Sequence, residues 1–277
     1  MKKIIKQTSE KGIVQITIAD ERWYVKDEAI GPVFVPSVTW ISSFYPKGVG
    51  YMKWLANHGW DEAEAIKNEA AEKGSRVHQA IVDLVDGKKV AMNSKYVNVD
   101  SDKEEELTLD DWECITSFVD WWNEMKPETL AREVVIFSKT DNYAGTVDWI
   151  GKIGDKIWLI DFKTSQYVWP SHELQVSAYR RAWDKIDTVG ILQLGYRLNK
   201  KRWKLTEIGD KFDLFKAAQR IWFNETEGIE PKKREYPEMV QLPKPEKVAK
   251  VKTKKTNGRK RHTKVQRGRV LPPTDET

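Results

Sequence analysis

The sequence has 277 residues and nearly balanced charges, with 47 Lys and Arg against 42 Asp and Glu and a formal net charge of +5. A chain of this length can bury one sizeable core, so a single folded domain is expected. The one cysteine excludes a disulfide framework within the chain and a four-cysteine iron–sulfur cluster. No apolar run has the length of a signal peptide or a membrane span, so the composition predicts a soluble, intracellular protein.

The charge is unevenly distributed along the chain. Residues 243–277 contain twelve Lys or Arg and three Asp or Glu, a balance of +9 that leaves −4 on the remainder. Proline, lysine and small polar residues replace the apolar periodicity in this segment, which is therefore predicted to be disordered when free. The expected organisation is one domain over residues 1–242 and a basic tail over 243–277.

The first part of the chain predicts short strands followed by helices. Residues 13–35 alternate apolar and polar side chains, as strands do. A helical region broken at residues 45–48 follows, and then a longer helix over residues 61–86. Gly74 and His78 lie one turn apart in this helix. A glycine there costs about 1 kcal/mol relative to alanine, which suggests that a backbone or a substrate approaches it closely.

The middle of the chain predicts a loop, a helix and a strand. Residues 87–107 are polar and predict a solvated loop. The helix predicted over residues 108–125 begins with a capping box of Thr108 and Asp111 and ends before Pro127.

A β-hairpin is predicted next, beginning with a strand over residues 132–138. A four-residue loop after this strand would pair Ser138 with Tyr143. The same register places Glu133 opposite Asp148.

A second hairpin turns at Gly154-Asp155, a two-residue turn signal between runs rich in Val, Ile and Trp. Counting outward from this turn places Asp148 directly opposite Asp161. Side chains alternate faces along a strand, so Lys163 projects on the same face as Asp161. The register therefore predicts that three charged side chains meet on one small patch.

The segment after the second hairpin predicts a loop over residues 166–170 and a helix that runs to about Ile186, with Ser171 as its N-cap. Gln175 and Tyr179 lie one turn apart on this helix, on one face near its start.

The last part of the folded region predicts a strand over residues 189–198, a turn over 199–202, a return strand over 203–206 and a helix over 210–227. The residues of this helix that are predicted to face inward are Leu214, Ala218, Ile221 and Trp222.

The carboxylates of Asp148 and Asp161 need a compensating charge. Two carboxylates about 5 Å apart, at an effective dielectric of about 20, repel each other by roughly 3 kcal/mol. A divalent cation offsets this repulsion, and Mg²⁺ is usually held by one or two carboxylates together with substrate phosphates and water. The ammonium group of Lys163 could orient a water beside the metal or help to deprotonate it. These groups are typical of metal-assisted phosphodiester hydrolysis.

The motifs resemble those of the PD-(D/E)XK nuclease superfamily, in particular its RecB-type exonuclease branch. The matching elements, in chain order, are Gly74-Ser75-Arg76-Val77-His78, Asp148, Asp161-Phe162-Lys163 and Gln175-Val176-Ser177-Ala178-Tyr179, with Glu133 at the position of the branch's glutamate. The resemblance covers about residues 36–225 of the predicted nuclease domain. It implies an α/β, restriction-endonuclease-like core, in which a mixed central sheet carries the active site on a β-hairpin and is flanked by helices.

The resemblance also implies roles for the residues of the hairpins. Asp148, Asp161 and the backbone carbonyl of Phe162 would hold the catalytic metal, and Lys163 would position the attacking water. Glu133 would join the same site, although a charged edge residue is the plain alternative.

Three helical residues have implied roles as well. His78 would bind a second metal ion, whereas the residue taken alone is more typical of a partly buried, hydrogen-bonded helix histidine. Gln175 and Tyr179 would position the DNA strand, the alternative being a surface Gln beside a core Tyr. Trp121 and Trp122 could stack on bases, but their spacing favours core packing.

The function implied is that of a Mg²⁺-dependent deoxyribonuclease with two ions, in which Mn²⁺ can substitute, acting as an exonuclease on DNA ends or single-stranded DNA. No phosphate-binding loop of a nucleotide-driven motor occurs in the sequence. DNA ends would therefore come from a helicase, a recombination intermediate or replicating phage DNA, with a recombinase or single-strand-binding protein as further partners. Small stand-alone enzymes of this kind resemble phage-encoded exonucleases, which act in the host cytoplasm, and the mitochondrial genome maintenance exonuclease.

Two other functions stay open at this stage. The same site cuts internally when the channel above it is open, as in a structure-selective endonuclease on branched nucleic acid. A non-catalytic DNA-binding module could also keep the fold. The basic tail would tether DNA through phosphate contacts, or else act as a solubilising extension or as a docking segment for an acidic partner.

Overall fold

The structure, a computed structural model, describes residues 4–8, 12–18, 21–29, 31–97, 103–227 and 241. Contacts divide the chain into two units, Met1–Lys232 and Lys233–Thr277. The predicted basic tail lies outside the described residues, and the boundary at residue 242 stays a prediction. No helix in the described part of the chain is both long and apolar enough to cross a membrane.

Eleven strands and six helices are described. The strands are β1 (Ile4–Thr8), β2 (Val14–Ile18), β3 (Glu21–Glu28), β4 (Gly31–Pro36), β5 (Lys95–Val97), β6 (Glu104–Glu106), β7 (Glu128–Ser138), β8 (Tyr143–Ile153), β9 (Lys156–Lys163), β10 (Thr188–Leu194) and β11 (Trp203–Ile208). The helices are α1 (Val38–Ser43), α2 (Val49–His58), α3 (Trp60–Val85), α4 (Leu109–Met125), α5 (Pro170–Arg181) and α6 (Phe212–Thr226).

The central element is a mixed five-stranded sheet with the order β11-β10-β9-β8-β7. Strands β7, β8 and β9 form two consecutive antiparallel hairpins, whereas β9 and β10 run parallel. Parallel neighbours need a crossover connection, and α5 supplies it. The molecule is thus an α/β protein, compatible with a restriction-endonuclease-like core.

Helices cover both faces of this sheet. On one face, α3 and α4 pack Val77, Ile81, Phe118 and Trp121 against the sheet. On the other face, α1, α5 and α6 form a second apolar cluster that includes Trp222. A separate antiparallel sheet, β1-β2-β3-β4, precedes these layers. The hydroxyls of Tyr24 in β3 and Thr146 in β8 are hydrogen-bonded at 3.0 Å.

Most of the predicted elements are confirmed, including the capping box of Thr108 and Asp111. Three predictions are wrong in detail. The loop predicted over residues 87–107 contains the two-stranded sheet of β5 and β6. Helix α5 begins at Pro170, with Trp169 rather than Ser171 as its N-cap, and ends at Arg181. A proline suits the first helical position because its missing N–H would have no partner there.

The inward face of α6 also differs from the prediction. Leu214 and Ile221 are exposed, while Phe215 and Gln219 are buried together with the predicted Ala218 and Trp222. Gln219 Nε2 donates hydrogen bonds to the carbonyl oxygens of residues 141 and 142, between β7 and β8. The apolar pattern alone could not reveal that a polar residue is needed at this contact.

A buried ion network holds α3 against the start of α4. Arg76 donates through Nε to Asp111 Oδ2 at 2.8 Å and through Nη1 to Glu105 Oε2 at 2.8 Å. Asp111 is fully buried, and it also accepts the backbone N–H of Thr108 in the capping box. Because Arg76 lies two residues before His78, this network also sets the position of the predicted metal ligand.

We expect Arg76→Met to lower the free energy of unfolding by about 3–5 kcal/mol, because it leaves the buried charge of Asp111 without its cation. Denaturant unfolding measures the change. Lys201→Met is the control, since it breaks the half-exposed pair with Glu124 and should cost no more than about 1 kcal/mol. Equal losses in the two variants would contradict the structural role of Arg76.

Candidate metal centre

The hairpin of β8 and β9 has the predicted register. Ile153 pairs with Lys156 across the turn, and the ladder continues to Trp149 and Ile160. The next positions in this register are Asp148 and Asp161. At this point a side chain replaces the backbone as hydrogen-bond acceptor, because Asp148 Oδ2 accepts the backbone N–H of Phe162 at 2.7 Å.

The hairpin of β7 and β8 confirms the second predicted register. Ser138 pairs with Tyr143, and the ladder places Arg132 beside Trp149 and Val134 beside Val147. Glu133 therefore lies opposite Asp148. Its φ of +46° falls in the left-handed region, which costs a non-glycine residue of the order of 1–3 kcal/mol and is common at functional sites.

His78, Glu133 and Asp148 come together as a candidate metal site. Each of the three offers one ligand atom, and these atoms all lie within 4.8 Å of one another. His78 Nδ1 is 3.7 Å from Asp148 Oδ1. Ligands of Mg²⁺ lie about 2.1 Å from the ion, so two of them on one ion are separated by about 3–4 Å. The spacing of His78 and Asp148 suits a shared ion.

A hydrogen bond to the backbone orients the His78 ring. Its Nε2 lies 3.0 Å from the carbonyl oxygen of Phe162. A carbonyl oxygen can only accept, so Nε2 carries a proton, and in the neutral form of the ring the lone pair of Nδ1 lies on the side of Asp148. Such a second hydrogen bond is what usually orients a metal-binding histidine. The carbonyl of Phe162 thus contacts His78, and its predicted role as a metal ligand stays a prediction.

Glu133 completes the cluster with a carboxylate that solvent can reach. The pKa of Glu133 is raised to about 7, first because surrounding protein atoms desolvate its carboxyl group and then because Asp148 carries a like charge. The residue itself is exposed, so a cation can approach it from outside. Two carboxylates and an imidazole form a donor set that accepts more than one kind of divalent ion.

Asp161 lies beside this cluster and is paired with Lys163. Lys163 Nζ is 2.5 Å from Asp161 Oδ2, which confirms that the two side chains share a face. Asp161 is 1% exposed, and within the described residues its Oδ1 has no partner while its Oδ2 meets only Lys163. Burial raises the pKa of Asp161 although Lys163 counteracts it. A second cation beside the unpaired Oδ1 would stabilise this buried carboxylate further.

Lys163 is held in its charged form. Burial by itself would lower its pKa, but Asp161 and Asp148 outweigh burial and raise it. The side chain therefore presents an ammonium group rather than a free amine. This state suits a residue that orients water or a phosphate oxygen by donating hydrogen bonds.

Gln175 and Tyr179 are both buried behind this site. Gln175 Nε2 donates to the Tyr179 hydroxyl at 3.0 Å, and burial raises the pKa of Tyr179 well above its usual range. The Tyr179 ring packs on β8 at Gly145, where an added Cβ would lie 2.5 Å from the ring. The two residues thus contact the strand that carries Asp148, and their predicted role in positioning DNA stays a prediction.

Gly74 and the two tryptophans of α4 were also singled out in the sequence. Gly74 faces open space, with nothing within 4 Å of an added Cβ, so no part of the described protein approaches it closely. Trp121 is fully buried as predicted, whereas Trp122 is only partly buried.

Two side chains near the cluster have no role predicted from the sequence. Arg132 lines the same cleft as His78 and Glu133 and forms an ion pair with Asp86. His172, in the first turn of α5, has its pKa lowered to about 4 by burial and by the positive charge of Lys163, although Asp161 opposes this effect. Only their positions in the sequence could have indicated these two residues. Arg132 immediately precedes Glu133, and His172 follows the loop after the Asp161-Phe162-Lys163 motif.

Neither a protein-family model nor a curated protein sequence matches this chain. Among solved structures, the chain is similar to an alkaline exonuclease from Laribacter hongkongensis, with a TM-score of 0.36 and 12% sequence identity. The similarity covers 69% of this chain and 87% of that one. A likeness at this level does not bear on function, for which the cluster of side chains is the relevant observation.

We expect a divalent metal to stabilise the protein through the cluster. Mg²⁺ or Mn²⁺ at 100 times its dissociation constant should raise the free energy of unfolding by about 2.7 kcal/mol. Asp148→Asn should abolish this gain, while the metal-free variant should be at least as stable as the parent, because one of the repelling carboxylates is gone and an acceptor for the Phe162 N–H is kept. Thermal denaturation with metal and with a chelator measures both effects.

The matched control for this experiment is Asp120→Asn, which neutralises an exposed carboxylate on α4. It should retain the full metal-dependent stabilisation. A metal-dependent gain that survives in Asp148→Asn would show that the ion binds elsewhere.

The two glycines near the site should respond to alanine in opposite ways. Gly74→Ala should raise the free energy of unfolding by about 1 kcal/mol, since alanine favours the helix and meets no neighbour. Gly145→Ala should lower it by about 1–3 kcal/mol, because the new methyl group would overlap the Tyr179 ring. Denaturant unfolding compares the variants directly, and destabilisation by Gly74→Ala would mean that the glycine has a packing role after all.

Proposed function

We propose that this chain is a Mg²⁺-dependent deoxyribonuclease, and more narrowly an exonuclease that acts on DNA ends or single strands. The observation that carries the proposal is the juxtaposition of the cluster of His78, Glu133 and Asp148 with the ion pair of the buried Asp161 and the half-buried Lys163. The sequence resemblance to RecB-type nucleases supports the same reading, since its motif residues are the ones gathered here.

The residues divide into ligands and a water-positioning group. Asp148, Glu133 and His78 would hold a metal ion, with Asp161 turned towards it once Lys163 engages the substrate. A bound divalent ion supplies a Lewis acid that stabilises charge on the phosphate and lowers the pKa of a coordinated water. Lys163 donates hydrogen bonds to the attacking water or to a phosphate oxygen, and the backbone of Phe162 fixes both Asp148 and His78.

The phosphodiester is a suitable substrate for such a site because of its charge. A free carboxylate cluster repels a phosphate, whereas a cluster loaded with a divalent ion attracts it. A bound ion would therefore be needed to hold the scissile phosphate at the carboxylates, whereas the rest of the strand can bind the protein without it. The proposed dependence on metal thus follows from the charges of the site and not only from the resemblance.

We expect Asp161→Asn and Lys163→Ala to lower the rate of cleavage by at least about a hundredfold, the effect of losing one group that stabilises developing charge. Affinity for DNA should change little, because neither residue belongs to an extended basic surface. Digestion of single- and double-stranded DNA labelled at the 5′ or the 3′ end, with Mg²⁺ and with a chelator, measures the rate and the polarity together.

The control for folding is Lys156→Ala, which alters an exposed lysine at the other end of the same strand. It should keep full activity. Circular single-stranded DNA separates the modes of cutting, since an exonuclease needs an end. Rapid cleavage of circles would show that the protein is an endonuclease and not an exonuclease. Mg²⁺-dependent cleavage by Lys163→Ala at the parent rate would contradict the role assigned to this lysine.

A further inference from the structure

Two exposed aromatic rings project from the loop that follows the DFK motif. Tyr167 is 65% exposed and Trp169 is 49% exposed, and their ring centroids lie 5.9 Å apart. Large rings with so much accessible surface are not contributing to the core. They also stand at the end of β9, only a few residues beyond Lys163.

Hydrogen bonds and one apolar contact hold the loop that carries the rings. Gln193 Nε2, from the buried side chain of β10, donates to the carbonyl oxygen of Ser165 at 3.1 Å. Gln166 Nε2 donates to the carbonyl oxygen of Gly195 at 2.9 Å, while its Oε1 accepts the backbone N–H of Arg197. Val168 packs against the apolar cluster below α5. Residues 166 and 168 thus anchor the loop, and the residues at 167 and 169 project outward.

The rings are connected to the candidate metal centre through His172. The backbone N–H of Trp169 donates to His172 Nδ1. His172 in turn lies within electrostatic reach of Lys163, Asp161 and Lys47. The aromatic pair is therefore adjacent to the side of the site where Lys163 would meet a phosphate.

A second lysine acts on His172. Lys47, in the loop before α2, lies within electrostatic reach of His172 and of Lys67, and it forms no ion pair within the described residues. Its Nζ lies 5.8 Å from the centre of the Tyr51 ring. A cation without a carboxylate partner is suited to hold a phosphate of a strand whose bases stack on aromatic rings.

We propose that Tyr167 and Trp169 form a stacking platform for unpaired nucleobases of the strand that enters the metal centre, with Lys47 on its phosphates. The proposal rests on the nuclease function proposed above and narrows its substrate to nucleotides that are not base-paired. Aromatic faces stack on every base, so the platform is indifferent to sequence. In a duplex the faces of the bases are covered by their neighbours, and the rings could reach only a terminal pair.

The test is binding of fluorescein-labelled strands in the presence of a chelator, so that cleavage does not enter. The probes are oligothymidylate, a strand of the same length made of abasic sites, a blunt duplex and oligouridylate. We expect Tyr167→Ala with Trp169→Ala to weaken binding of oligothymidylate by about tenfold or more, since each stacked base contributes about 1–3 kcal/mol and 1.4 kcal/mol is a factor of ten. The abasic strand and the duplex should bind the double variant as they bind the parent.

The matched control is Phe223→Ala, which removes a ring of similar exposure on α6; it should leave every affinity unchanged. The main-chain bond of Trp169 to His172 survives truncation of its side chain, so the loop should keep its anchors. Loss of affinity for oligouridylate as well would identify unpaired strands of both kinds as ligands, and loss for oligothymidylate alone would identify DNA.

Equal weakening for the abasic strand, or no weakening at all, would overturn the platform. That result is independent of the proposed function, because a nuclease could cleave normally without the rings. Conversely, a protein without nuclease activity would still show the base-dependent binding if the platform exists.

Discussion

The site depends on the register of one β-hairpin. The two-residue turn at Gly154-Asp155 sets which residues of β8 and β9 face each other, and it places Asp148 beside Asp161. A slip of one residue would send every side chain of a strand to the opposite face of the sheet. Apolar residues on both faces of this hairpin pack against helices, so the hydrophobic core enforces the register that the chemistry requires.

The carboxylates at this position destabilise the folded protein, and the same carboxylates are suited to bind a cation. Asp161 is buried, and among the described residues only Lys163 meets its carboxylate, while Glu133 adopts a backbone conformation that is unfavourable for a residue with a side chain. Both features cost free energy that the apolar clusters on the two faces of the sheet must offset. Strained backbone and unfavourably placed charges are common at functional sites, where the function requires them. Here one feature is a buried charge and the other a strained backbone, and a divalent cation, as proposed above, would relieve the first.

The strand β9 links the chemistry to the proposed recognition of the substrate. It ends with Asp161, Phe162 and Lys163 and leads directly into the anchored loop of Tyr167 and Trp169. Since β9 and β10 are parallel, α5 must cross over the sheet, and its first turn returns to the end of β9 with His172. One βαβ connection therefore brings Lys163, the two exposed rings and the half-buried His172 to the same end of the sheet.

The sequence by itself determined the two hairpins, the helices around them and the pairing of Asp148 with Asp161 and with Glu133. Turn residues and strand periodicity are local properties, and counting from a turn sets a register without further information. Tertiary structure alone decided the rest. It turned Asp161 towards Lys163, formed the cluster of His78, Glu133 and Asp148, buried Gln175 with Tyr179 and left Tyr167 exposed. These outcomes depend on distances between elements far apart in the chain, which neither periodicity nor propensity encodes.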